Sequence, residues 1–264
     1  MILDEIAEKT RRRVEEEKVK NPPEAVIREA KELAAKEPIC KKFAFEQALR
    51  GEDISFICEV KKASPSKGII AEDFPYLEIA KEYEAAGAAA VSCLTEPYYF
   101  LGSSRYLQEI AGEISIPVLR KDFTVDAYQI YEAKVLGAGA VLLICALLDD
   151  GQLRDCIRIA DELGLSALVE AHDEEEIRRA LSCGARMLGV NNRNLKDFTV
   201  NVENSLQLRR MVPPEIIFVA ESGIRTAGDI EKLRLGGVQA VLIGETLMRS
   251  KDKKTMLDTL RGCR

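Results

Sequence analysis

VLGAGAVLLIC, residues 135–145, reads as three pieces in a row: the apolar end of a helix, a glycine stop, and a strand with no polar face. The same form recurs as AAGAAAV (85–91), SCGARML (182–188) and RLGGVQAV (234–241), each a helix end, a glycine and the next strand. Glycine ends helices because it takes the left-handed conformation without a Cβ clash, so its recurrence, with Gly164 as a further stop, fixes the phase of a repeat. Working outward, apolar runs of strand length lie at Ile54 to Val60, Ala89 to Leu94, Ile116 to Arg120, Ala140 to Cys145, Ala167 to Glu170, Met187 to Asn191, Ile216 to Ala220 and Ala240 to Ile243. Between them apolar residues return at three- and four-residue spacing, as in Ala127, Ile130, Tyr131, Val135 and Leu136, which is the period of a helix. Strands apolar on both faces belong to parallel sheets covered by helices, and alternation of strand with helix implies right-handed crossovers. The expected class is α/β, a closed (β/α)8 or TIM barrel with an N-terminal helical extension. An open doubly wound sheet is the alternative; it usually has fewer strands and would hold its site at a switch point.

Residues 1–50 stand outside the repeat and read as helices, broken at Asn21-Pro22-Pro23 and again around Pro38. Pro22-Pro23 also suits the opening of a helix, with Glu24 in its first turn. No low-complexity linker separates this segment from the repeat, so residues 1–264 read as one barrel domain with the extension packed on it.

The chain has 264 residues, 47% of them hydrophobic, enough for a substantial core. Its net charge of -6 and its mixed charge runs, such as Arg11-Arg12-Arg13 before Glu15-Glu16-Glu17, oppose a nucleic-acid role and read as solvated helix faces. No apolar stretch reaches membrane-spanning length, and the first residues carry acids where a signal peptide would be basic and then apolar, so no membrane partner and a cytosolic location are expected. The seven cysteines are scattered without a CxxC pair and suit buried reduced thiols. With His172 as the sole histidine, a multi-histidine metal site is excluded and acid–base chemistry falls to Lys and Glu.

Where the apolar runs stop, chemistry starts. ISFICEV contains Glu59 and leads into Lys61, IPVLR leads into Lys121, ALVE ends at Glu170, LGVN at Asn191, and IIFVAES at Glu221 and Ser222. On a barrel these positions meet at the carboxyl ends of the strands, the active face. A lone Lys or Glu on a loop is ordinarily a salt bridge, but five strands ending alike point to a site. A desolvated ring of Lys and Glu shifts proton affinities, so one lysine is expected to donate and one carboxylate to accept near neutral pH. AESGIR (220–225) and LIGETLM (242–248) each put glycine at a strand-to-helix turn, where backbone N–H groups suit a phosphate; a plain turn former is the other reading of either glycine alone.

EVKKASPSKG (59–68), LTEPYYFLGS (94–103), LRKDF (119–123), LVEAH (168–172), GVNNRNL (189–195), AESGI and VLIGETLM, in this order and spacing, resemble the indole-3-glycerol phosphate synthase family over essentially the whole chain. No second barrel follows, so the resemblance is to the monofunctional form. It implies a phosphorylated small-molecule substrate, 1-(2-carboxyphenylamino)-1-deoxyribulose 5-phosphate, cyclised with loss of CO₂ and water without metal or organic cofactor. It implies Lys121 as the general acid that protonates the ribulose carbonyl, Glu170 as the general base of the dehydration, Lys61 as a binder of phosphate and of the substrate's carboxylate side, and Glu59 as its charge partner. Asn191, Arg193 and Glu221, with Ser64 beside them, match groups that orient substrate and catalytic side chains. Phosphate would sit on Ser222, Gly223, Gly244 and Glu245, with Lys61 nearby. Glu245 stands where some relatives have serine; only its backbone N–H should meet the ligand, with the carboxylate turned away. Pro65, Phe100, Phe123, Leu142, Leu195 and Leu242 match an apolar wall for the aromatic ring, although each equally suits barrel core. Two rivals remain: another phosphate-binding barrel such as a phosphoribosyl-amine isomerase, which should lack EVKKASPSKG, and a non-catalytic ligand-binding barrel, against which Lys121 and Glu170 together argue. Association with other tryptophan-pathway enzymes stays open on this reading.

Overall fold

Side chains of a strand alternate between its two faces, so a strand in a closed barrel sends every second residue inward. The computed structural model, which describes residues 2–193 and 199–262, has eight such strands: β1 (Ser55–Val60), β2 (Ala90–Leu94), β3 (Val118–Lys121), β4 (Ala140–Ile144), β5 (Ser166–Ala171), β6 (Met187–Asn191), β7 (Ile217–Glu221) and β8 (Ala240–Ile243). All neighbouring pairs are parallel, and β1 pairs with both β2 and β8, which closes the barrel. Ile57, Leu119, Leu142, Leu168, Met187, Val219 and Leu242 pack together inside it. One inward step further along, the alternation delivers Glu59, Lys121, Glu170 and Glu221, and Gly189 is followed by Asn191 on β6. Strand pairing levels them: Ile144 stands opposite Glu170, Leu94 opposite Lys121 and Asn191 opposite Glu221.

Gly87, Gly137, Gly164, Gly184 and Gly237 all hold positive φ at the helix-to-strand turns. At Gly137, φ is 83°, a conformation that a residue with a Cβ adopts only under strain. Six strands differ from the sequence expectation by one or two residues at an end, and two of these shifts bear on the site. β3 begins at Val118, since Pro117 has no N–H for the ladder, and runs through Lys121, so this lysine is part of the strand. β7 likewise extends to Glu221. A short antiparallel hairpin, Ala63–Ser64 with Gly68–Ile69, follows β1 and was not expected; two residues leave no period to read.

The extension forms α1 (Ile2–Lys20), α2 (Pro23–Lys36), where Pro23 occupies the first turn, and the short α3 (Ala44–Ala48). Phe45 and the adjoining Leu49 join the barrel-interior cluster, while Val14 and Val26 pack on Tyr128. Each such fully buried apolar side chain contributes about 1.5–3 kcal/mol. One polar tie stands out: Arg13 Nη2 donates to both oxygens of Asp122, at 2.9 and 2.8 Å, across 109 residues of chain, and Thr95 Oγ1 donates to the same carboxylate at 2.7 Å. Arg120 also faces Asp122, at 3.6 Å. Breaking one side of a buried ion pair leaves the other charge uncompensated and costs about 3–5 kcal/mol. Arg13→Met is therefore expected to lower stability by about 3 kcal/mol, the lower end because Arg120 stays near Asp122. The shift of the urea midpoint at constant slope measures it, and a loss below about 1 kcal/mol would contradict the reading.

Candidate active site

The carboxyl ends of the strands enclose a cavity of about 390 Å³. Every residue expected at the site lines it, except Leu195, which lies outside the described residues. Lys121 is at its centre: its Nζ is 3.4 Å from Glu170 Oε2 and 3.5 Å from Glu221 Oε2, and all three side chains are buried or nearly so. Lys61 Nζ hydrogen-bonds Glu59 Oε1. Glu170 is held further by Asn191, whose Nδ2 donates to Oε1 at 3.3 Å, and Asn191 Oδ1 accepts from the Arg193 backbone at 3.0 Å. Among the described residues Glu221 Oε1 has no hydrogen-bond partner.

Two strand-level glycines make room for these carboxylates. A Cβ at Gly189 would collide with Glu221 Oε1; one at Gly244 would collide with Glu59 Oε1 and lie 2.8 Å from Lys61 Nζ. At these positions the absent side chain is what lets the barrel hold three carboxylates side by side.

The electrostatics correct one expectation. Burial works against the charged form of Lys121, but Glu221, Glu170 and Glu59 outweigh it and hold the ammonium well above the usual lysine range. The lysine is thus fixed as a cation and not tuned toward neutrality. The carboxylate tuned toward neutrality is Glu221, which burial, with Glu170 and Glu59 adding to it and Lys121 opposing, pushes up to about 7. Glu170 goes the other way: despite burial, Lys121, His172 and Asn191 hold it below the usual carboxylate range.

One wall is apolar. Phe100 and Phe123 lie with ring centroids 6.0 Å apart, and Leu142 and Leu242 form the floor; Pro65 stands at the rim. Phe100 is positioned by Glu96, a fully buried carboxylate that accepts the backbone N–H groups of Tyr98, Tyr99 and Phe100 at 2.9, 2.7 and 3.0 Å. Gly102 passes so close to the Leu94 carbonyl that no Cβ fits. At the opposite end, Ser222 and Gly223 both take the left-handed conformation, φ 67° and 81°, and Asn192 Nδ2 donates to the Ser222 carbonyl at 3.2 Å. Gly244 caps the helix Glu245–Arg249. The Glu245 carboxylate is drawn onto Arg249 Nε, 3.1 Å, with Lys67 Nζ 3.9 Å away.

The sequence did not flag several participants. Ile2, Leu3 and Ile6 of α1 line the cavity, so the extension supplies part of the wall. Asp122, Glu96 and Asn192 act on the site through backbone and ion-pair contacts that only the fold creates. Arg225 and Arg249 at the rim add positive charge beside the Ser222 turn.

Comparison with known proteins gives one family. The family model described as indole-3-glycerol phosphate synthase matches residues 3–260. The chain is similar to the indole-3-glycerol phosphate synthase of Ruminiclostridium cellulolyticum, 59% identical over 262 residues and covering 99% of each chain. It is also similar to that of Endomicrobium trichonymphae, 57% identical over 251 residues and 95% of each. Among solved structures, 3-hexulose-6-phosphate synthase from Salmonella typhimurium has a TM-score of 0.65 at 14% identity, covering 80% of this chain and 98% of that one, a likeness of fold alone.

Proposed function

The chain belongs to the indole-3-glycerol phosphate synthase family, and from that membership we propose how its mouth carries out the reaction. It is a carbon–carbon lyase: 1-(2-carboxyphenylamino)-1-deoxyribulose 5-phosphate closes to indole-3-glycerol phosphate with loss of CO₂ and water. The observation behind the assignment of roles is the Lys121 ammonium, 3.4 Å from one buried carboxylate and 3.5 Å from another at the edge of an apolar cavity.

The aromatic ring of the substrate lies against Phe100 and Phe123 over Leu142 and Leu242, with Pro65 completing the wall. Its phosphate takes the opposite end, on the backbone N–H groups of Ser222, Gly223, Gly244 and Glu245, and Lys61, Arg225 and Arg249 supply positive charge there. The ribulose carbonyl then lies over Lys121. As the anilino ring carbon attacks, negative charge grows on that oxygen, and the developing alkoxide is more basic than the ammonium beside it, so even a lysine held strongly protonated transfers its proton. Loss of CO₂ restores aromaticity. In the dehydration Glu170 accepts a substrate proton, for which it must be ionised; its surroundings favour that state. Asn191 orients Glu170, Ser64 and Arg193 hold the substrate, and Glu59 fixes the Lys61 ammonium.

The assay is direct: indole-3-glycerol phosphate is fluorescent and the substrate can be supplied alone. Product should appear without added metal or cofactor; no product from folded enzyme would remove this reading. A finer test concerns the phosphate turn. Because the Glu245 side chain is engaged by Arg249 and only its N–H serves the ligand, Glu245→Ser should leave affinity unchanged or modestly better, a new charge-assisted hydrogen bond being worth about 1.5–3 kcal/mol if aligned. Gly244→Val should weaken binding of phosphorylated product at least about tenfold, since its Cβ meets Glu59 and Lys61 and blocks close backbone approach. Calorimetry that found the reverse order would move the phosphate to another strand end. We also propose a cytosolic location, supported by Cys58, Cys93, Cys145, Cys156 and Cys183 being buried and unbridged, as a reducing compartment keeps them.

A further inference from the structure

Glu170 and Glu221 compete for one lysine. They approach Lys121 at nearly equal distance and are almost equally buried, so the lysine prefers neither. What stands behind them differs. Among the described residues Glu221 Oε1 has no hydrogen-bond partner, whereas Glu170 Oε1 accepts from Asn191 and lies 3.4 Å from His172 Nε2. That second contact is a charge contact and not an aligned hydrogen bond, since Nε2 itself lacks a bonded partner among the described residues. His172, the only histidine of the chain, sits two residues beyond Glu170. It is gripped from its other side by Glu176, in the first turn of the helix Glu174–Ser182: Glu176 Oε2 accepts the His172 backbone N–H at 2.7 Å and faces Nδ1 at 3.1 Å. Stapling of the helix start explains the backbone bond, but it does not require a ring whose far nitrogen faces the carboxylate on β5.

We propose that His172 is a positioning residue that decides which of the two carboxylates sharing Lys121 carries the negative charge, keeping Glu170 ionised and leaving Glu221 to hold the proton. The inference rests on the reading of Glu170 as the base of the dehydration. A ring with a carboxylate facing each nitrogen is most stable as the doubly protonated cation. The charges facing it are Glu170 from β5 and Glu176 from the helix, with Lys121 beyond Glu170 and Arg179 beyond Glu176. Burial favours the neutral ring, yet the two carboxylates outweigh it and push His172 up to about 10. Unequal surroundings of two neighbouring carboxyl groups are how a site separates base from acid. Here the separating group would be a third cation outside the lysines.

A sole histidine makes the test clean. In untagged enzyme carrying ¹⁵N-histidine, the imidazole signals report His172 alone, and both ring nitrogens should stay protonated through about pH 8, above the unperturbed range near 6.5. A ring that titrates near 6.5 overturns the proposal whatever Glu170 does. The second arm is the pH profile of kcat. An adjacent opposite charge lowers a carboxylate by about 1–3 pH units, so His172→Asn should introduce an acidic limb about 1–3 pH units above that of the wild type, with kcat recovering toward wild type at neutral pH and KM little changed. His172→Lys, which restores a cation, should remove the limb. A pH-independent loss in His172→Asn, or a loss that Lys does not reverse, overturns the proposal and leaves His172 a structural staple. Failure of Glu170→Gln to block dehydration would instead overturn the base assignment, so the two failures are separable.

Discussion

Lys121→Ala is expected to cut kcat by at least ~10³-fold while substrate still binds. General acid catalysis is worth ~10²- to 10⁴-fold, and here the loss should sit in the upper part of that range because the ammonium has two tasks. It delivers the proton to the carbonyl, and it also separates Glu170 from Glu221, which it meets at 3.4 and 3.5 Å. Without it, two buried carboxylates face one another, like charges share a proton, and the base is partly disabled as well. Affinity should hold within a few-fold, because the proposed phosphate and ring contacts lie on the Ser222 turn and the Phe100–Phe123 wall. Lys121→Arg should not rescue, since the guanidinium is planar and gives up its proton even less readily. Steady-state kinetics with calorimetric affinity for the product checks this on protein shown to be folded by circular dichroism. Turnover within tenfold of the parent would take the acid role from Lys121.

Glu170→Gln should abolish product formation to a similar extent but at a later stage. The amide keeps the shape and can still meet Asn191, His172 and Lys121, yet it cannot accept a proton. Ring closure and CO₂ loss should therefore proceed faster than water loss, and a closed, decarboxylated, still hydroxylated species should build up. If instead only substrate affinity falls, Glu170 is a binding group.

The eight strands were legible because each is buried on both faces and so reads as an unbroken apolar run, and because a left-handed glycine marks the turn before most of them. The site was legible for a related reason: inward alternation carries on past the core, so Leu119 predicts the direction of Lys121, and Leu168 that of Glu170. The direction of the Lys121 shift was not legible, since it depends on three carboxylates contributed by β1, β5 and β7 outweighing burial. Nor was the bond from Arg13 to Asp122, whose partners are 109 residues apart, or the entry of Ile2, Leu3 and Ile6 into the cavity wall. His172 was read in the sequence only as the residue that excludes a multi-histidine metal site; its contact with two carboxylates comes from the turn after β5.

The central claim is that one lysine and one carboxylate divide the reaction between them, Lys121 before CO₂ is lost and Glu170 after. The most direct measurement is a single-turnover, rapid-quench separation of all species formed from the substrate by Lys121→Ala and Glu170→Gln enzyme in parallel. The account predicts unreacted substrate in the first and the decarboxylated, undehydrated ring in the second. If both variants stall at the same species, the two residues do not act at different steps and the division fails.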